Sequence, residues 1–286
     1  MALTNRVDLH THTTASDGLN RPAENVRLAK EAGLYAVAIT DHDTVEGIDE
    51  AMQEGERLGV VVVPGVEIST VAEGKDIHIL GYYTDWQDEA WRAKLRGLLD
   101  VRDRRNEMIL QKLRDLGIAV TIEEVMDEAK RSGKEGGTIG RPHIAAVLLA
   151  KGVVTSMQEA FDRYLGQGAQ AYANPPRLHP FEAIEWIKEA GGTSVIAHPG
   201  LYDADELVES IIRYGAQGIE AYHSDHSPEE EAKYVKLAER YGLIITGGSD
   251  FHGKRQGEVF HGPIGNRSVD AAVLEQLDPA KRHGQS

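Results

Sequence analysis

The chain has 286 residues, enough for one barrel-sized domain with an insertion and a poor match to two equal domains. With 46 acidic against 31 basic residues the formal charge is −15, which argues against a broad footprint on duplex DNA or RNA. Zero cysteines exclude disulfides, thiolate metal sites and a cysteine nucleophile, and no apolar run reaches the ~18 residues of a membrane span. The start MALTNRVDLH lacks a charged-then-apolar leader, so the expectation is a cytoplasmic protein with no membrane contact and no obligate protein partner.

Short β-branched or apolar runs alternate with longer amphipathic stretches, the pattern of βα units around a parallel sheet. Arg6–His10 is the first expected strand, followed by a helix from Pro22 to Ala32 that Gly33 ends. Tyr35–Thr40 is the second strand, and Glu46 to Leu58 the second helix, stopped by Gly59. Val60–Val63, continuing towards Val66–Ser69, is the third strand and Asp76–Tyr82 the fourth. The rhythm then breaks. Leu95, Leu98, Leu99, Met108, Ile109, Leu113 and Leu116 recur at helical spacing, as do Ile144, Val147 and Leu148 after Pro142. Residues 88–170 are therefore expected to be a helical insertion covering the active site, on a barrel built from residues 1–87 and 171–286. Within it, Ser132 to Gly140 is too glycine-rich for a helix and lacks the spacing and preceding strand of a phosphate loop. Arg102 and Arg105 are expected on a solvated helix face. Strands resume at Thr193–His198, Gly218–Tyr222 and Leu243–Gly248, and after Asp270 come a short helix and a polar tail.

The histidines and carboxylates cluster at strand ends, the face where parallel barrels build active sites. The first strand delivers His10, His12 and then Asp17; the second delivers Asp41, His42 and Asp43; the third delivers Glu67. His78 lies in the fourth strand, His198 ends the fifth, and Asp250 and His252 follow the seventh. A His-x-His pair in a strand puts both imidazoles on one face and allows chelation. Each piece alone has a plainer reading: Asp43 or Thr44 as a helix cap, His78 as a satisfied core histidine, His198-Pro199-Gly200 as a strand stop. Together they point to a metal site, because chance does not place so many such residues at one end of consecutive strands. His179, His261 and His283 have no supporting context.

His10-Thr11-His12 with Asp17, Thr40-Asp41-His42-Asp43, Gly65-Val66-Glu67, Ala197-His198-Pro199 and Gly248-Ser249-Asp250-Phe251-His252 resemble the motifs of the PHP (polymerase and histidinol phosphatase) superfamily. The resemblance covers nearly the whole chain. It implies an α/β fold, a distorted (β/α)7 barrel of the TIM-like kind with a helical insertion, in agreement with the seven strands counted. It also implies that His10, His12, Glu67 and Asp250 hold one ion, that Glu67 bridges to a second held by His78 and His198, and that Asp17, His42 and His252 hold a third. No ligand position is missing, which points to a working enzyme rather than a non-catalytic module of the kind attached to polymerases. Two to three divalent ions are expected, and nitrogen and oxygen ligands without sulfur suit Mn²⁺, Fe²⁺ or Zn²⁺. Ions bridged by Glu67 would hold a hydroxide at neutral pH and polarise a phosphoryl oxygen.

Arg141-Pro142-His143 opens a helix in the insertion, with Pro142 at its expected first position, where backbone donors favour an anion. Arg141 could clamp a phosphate and His143 could donate to it or protonate a leaving oxygen; the alternative for both is capping chemistry. His226 after the sixth strand is either a catalytic substrate contact or a residue capping the helix that begins near Pro228. A Gly-Arg-Pro-His block inside a helical insertion resembles the PHP subgroup that hydrolyses nucleoside 3′,5′-bisphosphates and the 5′ ends of short RNAs. The expected partner is thus a small phosphorylated substrate, a nucleotide or a short single-stranded RNA end, with histidinol phosphate as the alternative. Barrels of this kind also hydrolyse amides and lactones. Arg141, and the lack of an obvious carboxylated lysine at a strand end, favour phosphorus.

Overall fold

The computed structural model describes residues 4–131, 139–173, 175–255 and 258–282. In it the chain begins as β1 (Arg6–Asp8), α1 (Pro22–Glu31), β2 (Ala36–Ile39), α2 (Ile48–Leu58), β3 (Val61–Ala72) and β4 (Lys75–Tyr82). Four helices follow, α3 (Glu89–Asp115), α4 (Ile122–Arg131), α5 (Arg141–Ala150) and α6 (Met157–Ala160). The alternation then resumes with α7 (Pro180–Glu189), β5 (Thr193–Ile196), α8 (Asp205–Tyr214), β6 (Gly218–His223), α9 (Pro228–Tyr241) and β7 (Ile244–Gly248). A small hairpin of β8 (Lys254–Arg255) and β9 (Glu258–Val259), then β10 (Val269–Asp270), α10 (Val273–Leu277) and α11 (Pro279–Arg282), complete it. Glycine ends α2 as expected: Gly59 takes φ 68°, a left-handed conformation that a side chain disfavours.

The main sheet runs β10-β1-β2-β3-β4-β5-β6-β7. Just past β1, Leu9 N–H donates to Gly247 O of β7 at 3.1 Å, so β1 to β7 close into a distorted, TIM-like α/β barrel with β10 on the far side of β1. The seven expected strands correspond to β1–β7, but one expectation needs correction. The sheet is not all parallel: β4 pairs antiparallel with both β3 and β5. Two residues, Glu73 and Gly74, join β3 to β4, and so short a link can make a hairpin but not a crossover. Reversal of β4 carries its early residue His78, paired with Ser69, to the same rim as the last residues of its neighbours.

Between β4 and α7 the described residues contain helices and no strand. Trp91, Leu95 and Leu98 in the first half of α3 pack into the layer between barrel and outer helices. Ile109, Leu110 and Leu113 in its second half join α4 and α5 residues such as Val125, Ile144 and Leu148 in a separate apolar cluster. A single long helix thus ties a second core to the barrel. The inner barrel is filled by Val7, Leu9, Ala38, Val63, Leu80 and Val195. Among the described residues no helix is long and apolar enough to cross a membrane. Residues 132–138 of the glycine-rich stretch, and His283, lie outside the described residues.

Candidate metal centre

Beyond β1 the chain stays extended to His12, whose N–H donates to Phe251 O at 2.9 Å, while Asp250 N–H donates to His10 O at 2.9 Å. His10 and His12 therefore share a face, and their Nε2 atoms lie 3.2 Å apart with both side chains fully buried. The next turn is shaped by Asp41, which accepts from Thr13 N–H at 2.8 Å, Thr13 Oγ1 at 2.7 Å and Ser16 Oγ at 2.6 Å. This brings Asp17 back over the rim. Asp8 ties the end of β1 to the loop carrying Asp250 by accepting from Ser249 N–H at 2.9 Å.

Glu67 is the hub. Its Oε2 lies 3.3 Å from His10 Nε2, 3.1 Å from His12 Nε2 and 3.1 Å from His42 Nδ1. Its Oε1 lies 2.8 Å from His78 Nδ1 and 3.0 Å from His198 Nε2. Asp250 Oδ1 faces His10 and His12 at 3.4 and 3.1 Å. To one side, Asp17 stands 3.3 Å from His252 Nε2 and 3.8 Å from His42 Nε2, forming a group with His12. All nine side chains expected around the ions thus meet in one buried cluster.

The cluster fits cations better than it fits itself. Asp250 Oδ1 and His42 Nδ1 are buried without a hydrogen-bond partner among the described residues, although charged or polar atoms stand 3.1 Å away. Buried ligand atoms left unsatisfied within a converging set aim at a shared point, as coordinating groups do. Electrostatics agree. Burial pulls His12 down, but Asp250 and Glu67 override it and raise its pKa to about 10. Burial likewise opposes, and Glu220, Asp250 and Glu67 outweigh it, to hold His10 well above its ordinary range. Protons thus compensate carboxylates that divalent ions would compensate more strongly.

Several contributors carry no obvious sequence pattern. Glu220, fully buried on β6, contacts His10 Nδ1 at 3.0 Å and accepts from His198 N–H at 2.8 Å, so His10 turns Nε2 to the cluster. His223 Nδ1 accepts from Asp225 N–H at 3.1 Å, which puts its proton on Nε2, 3.2 Å from Asp250 Oδ2. His261, expected to have no role, has Nε2 3.4 Å from the same oxygen and Nδ1 against Asp225. His223, the last residue of β6, could have been found by the same strand-end logic; nothing local marks His261, which reaches the rim from the loop after the β8–β9 hairpin.

A cavity of about 510 Å³ opens over the cluster, with Arg102, Arg105 and Arg141 in its insertion-side wall. The expectation of a solvated face for Arg102 and Arg105 is corrected: each is only 5 % exposed. The cause is that α3 leans across the rim, so that Arg102 donates to Asp43 Oδ2 at 2.8 Å and Ser69 Oγ at 2.6 Å. Asp43 is thereby an ion-pair partner, and α2 is preceded by Gly47 instead. Asp76 Oδ2 pairs with Arg141 at 2.8 Å, and its other oxygen pairs with Arg177. Burial, then the neighbouring Arg141, Arg102 and Arg177, push Arg105 well below the usual guanidinium range. Because a guanidinium does not give up its proton in proteins, this marks positive charge that the wall leaves uncompensated.

The histidine candidates His143, His226 and His179 hold local backbone groups instead. Arg141, not Pro142, is the first residue of α5, and His143 Nδ1 accepts from Gly140 N–H at 3.0 Å in the capping geometry. His226 contacts Ala221 O through Nδ1 at 3.0 Å and accepts from Gly200 N–H at Nε2 at 3.1 Å. Both of its ring nitrogens are thus taken, and Ser227 is the residue that caps α9. His179 caps α7 by accepting from Phe181 N–H at 3.2 Å.

Comparison with known proteins agrees with this geometry. The family model described as PHP domain matches residues 8–241. The 5′-3′ exoribonuclease Rnm of Salmonella typhimurium is 36% identical over 252 residues, covering 86% of this chain and 84% of that protein. The 3′,5′-nucleoside bisphosphate phosphatase of Chromobacterium violaceum is 34% identical, covering 95% of this chain and 99% of that protein. A crystal structure described as a metal-dependent phosphoesterase from Bifidobacterium adolescentis superposes with a TM-score of 0.83 at 32% identity, covering 95% of this chain and 94% of that one. A rim of converging imidazoles and carboxylates, a family match over most of the length and relatives aligned end to end lead to one conclusion: the chain is a metal-dependent phosphoesterase and belongs to the PHP domain family.

Proposed function

We propose that this enzyme removes the 3′-phosphate of nucleoside 3′,5′-bisphosphates, and that the same site accepts the 5′ ends of short RNAs. The observation that carries the reading is the arginine wall of the cavity, opposite the ligand cluster. A simple phosphomonoester needs the cluster alone, whereas a substrate with two phosphates needs a second anion site at a distance from the first. Arg105, buried and with its Nε lacking a hydrogen-bond partner among the described residues, is a cation awaiting such an anion. Arg141 lines the same wall. An RNA 5′ end offers the same pair of groups, a terminal 5′-phosphate and a 3′-phosphodiester. The relatives named as a 3′,5′-nucleoside bisphosphate phosphatase and a 5′-3′ exoribonuclease support both halves.

In this reading His10, His12, Glu67 and Asp250 hold one ion, Glu67 with His78 and His198 a second, and Asp17, His42 and His252 a third. Mn²⁺, Fe²⁺ and Zn²⁺ all suit such donors. Divalent ions there supply an activated water and neutralise the phosphoryl oxygens. The chain's own part is positional: Glu220 orients His10, His223 orients Asp250, and the arginines seat the phosphate that is not cleaved. The test is phosphate release from nucleoside 3′,5′-bisphosphates, histidinol phosphate and 5′-phosphorylated oligonucleotides, with metal content measured on the same sample. Bisphosphates should be the best substrates by kcat/KM. A clear preference for histidinol phosphate would overturn the substrate assignment and leave the metal centre standing.

A further inference from the structure

In the proposed ligand set His78 and His198 share the second ion with Glu67, and both stand where regular strand pairing gives out. Ala197 is the residue opposite His78, but β5 ends at Ile196. Ala197 N–H still donates to His78 O at 3.2 Å. In an antiparallel strand the N–H of a residue points to the same side as its C=O, and here it donates to Tyr202 Oη at 2.9 Å. That hydroxyl in turn donates to His78 O at 3.3 Å. Tyr202 thus stands in for the strand residue that β5 no longer supplies.

His198 is the more strained of the two ligands. Its φ of 24° lies in a region that a residue with a side chain rarely adopts, and such backbone persists only where its surroundings over-determine it. A 3₁₀ turn over Pro199–Leu201 folds the chain back, with Leu201 N–H on His198 O at 3.0 Å. Gly200 lies flush on His226: a Cβ there would stand 2.7 Å from His226 Cδ2. Lys75 Nζ, at the start of β4, ties down the end of the turn by donating to Tyr202 O at 2.8 Å and Asp203 O at 3.1 Å. The Tyr202 ring then meets the His198 ring edge-on, with 5.5 Å between centroids.

We infer that Tyr202 is a positioning residue for the second ion and braces both of its histidine ligands from one side chain. The hydroxyl fixes the backbone of His78, and the ring backs the imidazole of His198. The inference rests on the proposed ligand set and deepens it. A tyrosine hydroxyl has one proton to give, and this one goes to His78 O, so Tyr202 serves the ligands rather than the leaving group. Partners that orient ligands in this way commonly change metal affinity by about 10- to 100-fold when they are lost. The effect should fall on one ion, because Tyr202 holds His78 and His198 together.

The test is equilibrium dialysis of the Mn²⁺-loaded full chain against buffers of falling free Mn²⁺, with bound ions counted per chain. His78→Ala identifies the step that belongs to the second ion, by losing it. Tyr202→Phe should release that ion, and no other, at free Mn²⁺ at least about tenfold higher than the parent does. Tyr202→Leu, which removes ring and hydroxyl together, should move the step further. Lys75→Met cuts the tether of the turn and should move the same step by less; if the Tyr202 variants do not fold, a Lys75→Met curve that overlays the parent's overturns the brace. A Tyr202→Phe curve that overlays the parent's also overturns it. So does an equal weakening of every step, which is what a merely structural tyrosine would give. If His78→Ala keeps every step, the ligand set itself is wrong and the brace falls with it.

Discussion

The barrel rim and the insertion wall face one cavity, but they acquire positive charge in different ways. At the rim, Glu67, Asp17 and Asp250 are held far below their ordinary range: burial opposes ionisation and the surrounding histidines outweigh it. That region is anionic until ions bind. The wall is cationic without any ion, since Arg102, Arg105, Arg141 and Arg177 meet there with Asp43 and Asp76 as their carboxylate partners. A chain of formal charge −15 can thus attract a phosphate through a permanent patch and then complete the field with metals. Damage to the rim should abolish turnover; damage to the wall should change which phosphate ester is preferred.

The largest effect is expected from the rim. Glu67→Gln keeps the shape of the side chain and removes a charge that both of its oxygens direct at histidines. Turnover should fall by more than about a hundredfold, beyond the loss typical of an outer-shell partner, while the circular dichroism spectrum stays that of a folded barrel. Bound metal should fall in the same preparation. Turnover near that of the parent would remove Glu67 from the centre of the site.

A smaller and more selective loss is expected from the wall. Arg141→Ala should lower kcat/KM for a nucleoside 3′,5′-bisphosphate by at least about tenfold, the low end for a charge-assisted contact, with metal content unchanged. Arg141 also pairs with Asp76, so a nucleoside 3′-monophosphate is the control for mere structural damage. If the monophosphate suffers as much as the bisphosphate, the contrast between rim and wall is wrong and Arg141 serves only the packing of α5.

These two regions also differed in how far they could be read from sequence. The rim was legible because strand geometry is local: residues two apart share a face, and the ends of successive parallel strands share a side. His10, His12, His42, Glu67 and His198 follow from that alone. His78 was legible as a residue but not in its setting, since nothing in Asp76–Tyr82 announces an antiparallel strand except the brevity of the link before it. Of the wall, Arg141 was legible from its Gly-Arg-Pro-His block and the rest was not. Arg102 and Arg105 lie on a 27-residue helix whose apolar stripe serves two different cores, and their neighbours Asp43, Asp76 and Arg177 come from distant parts of the chain. A buried arginine looks the same in sequence as a solvated one until tertiary packing supplies its carboxylate. Glu220 and His261 escaped for the same reason: their meaning lies in His10 and Asp250, far away along the chain.

The most graded difference between the two regions is in their response to pH. The wall keeps its charge throughout the range in which a protein of this kind stays folded, because guanidinium groups do not titrate there. At the rim, His12 in the metal-free protein has a pKa raised to about 10, burial opposing the shift and Asp250 and Glu67 winning. An unfolded histidine titrates near ~6.5. The stabilisation it represents is therefore complete below about pH 6.5 and is lost as pH rises towards about 10. Metal loading reverses the sign, because an ion on the ring must expel that proton, and expulsion becomes easier as pH rises. Each displaced proton is worth ~1.4 kcal/mol per pH unit, or roughly 2–3 °C of Tm in a chain of 286 residues. The Tm of the loaded protein should pull away from that of the chelated protein by about this much per unit between roughly pH 6.5 and 8.5. Differential scanning calorimetry with and without chelator measures the gap, with Arg141→Ala alongside the parent. A gap that stays constant with pH would mean that no rim proton is exchanged for metal. A gap altered by Arg141→Ala would mean that rim and wall are electrostatically one site rather than two.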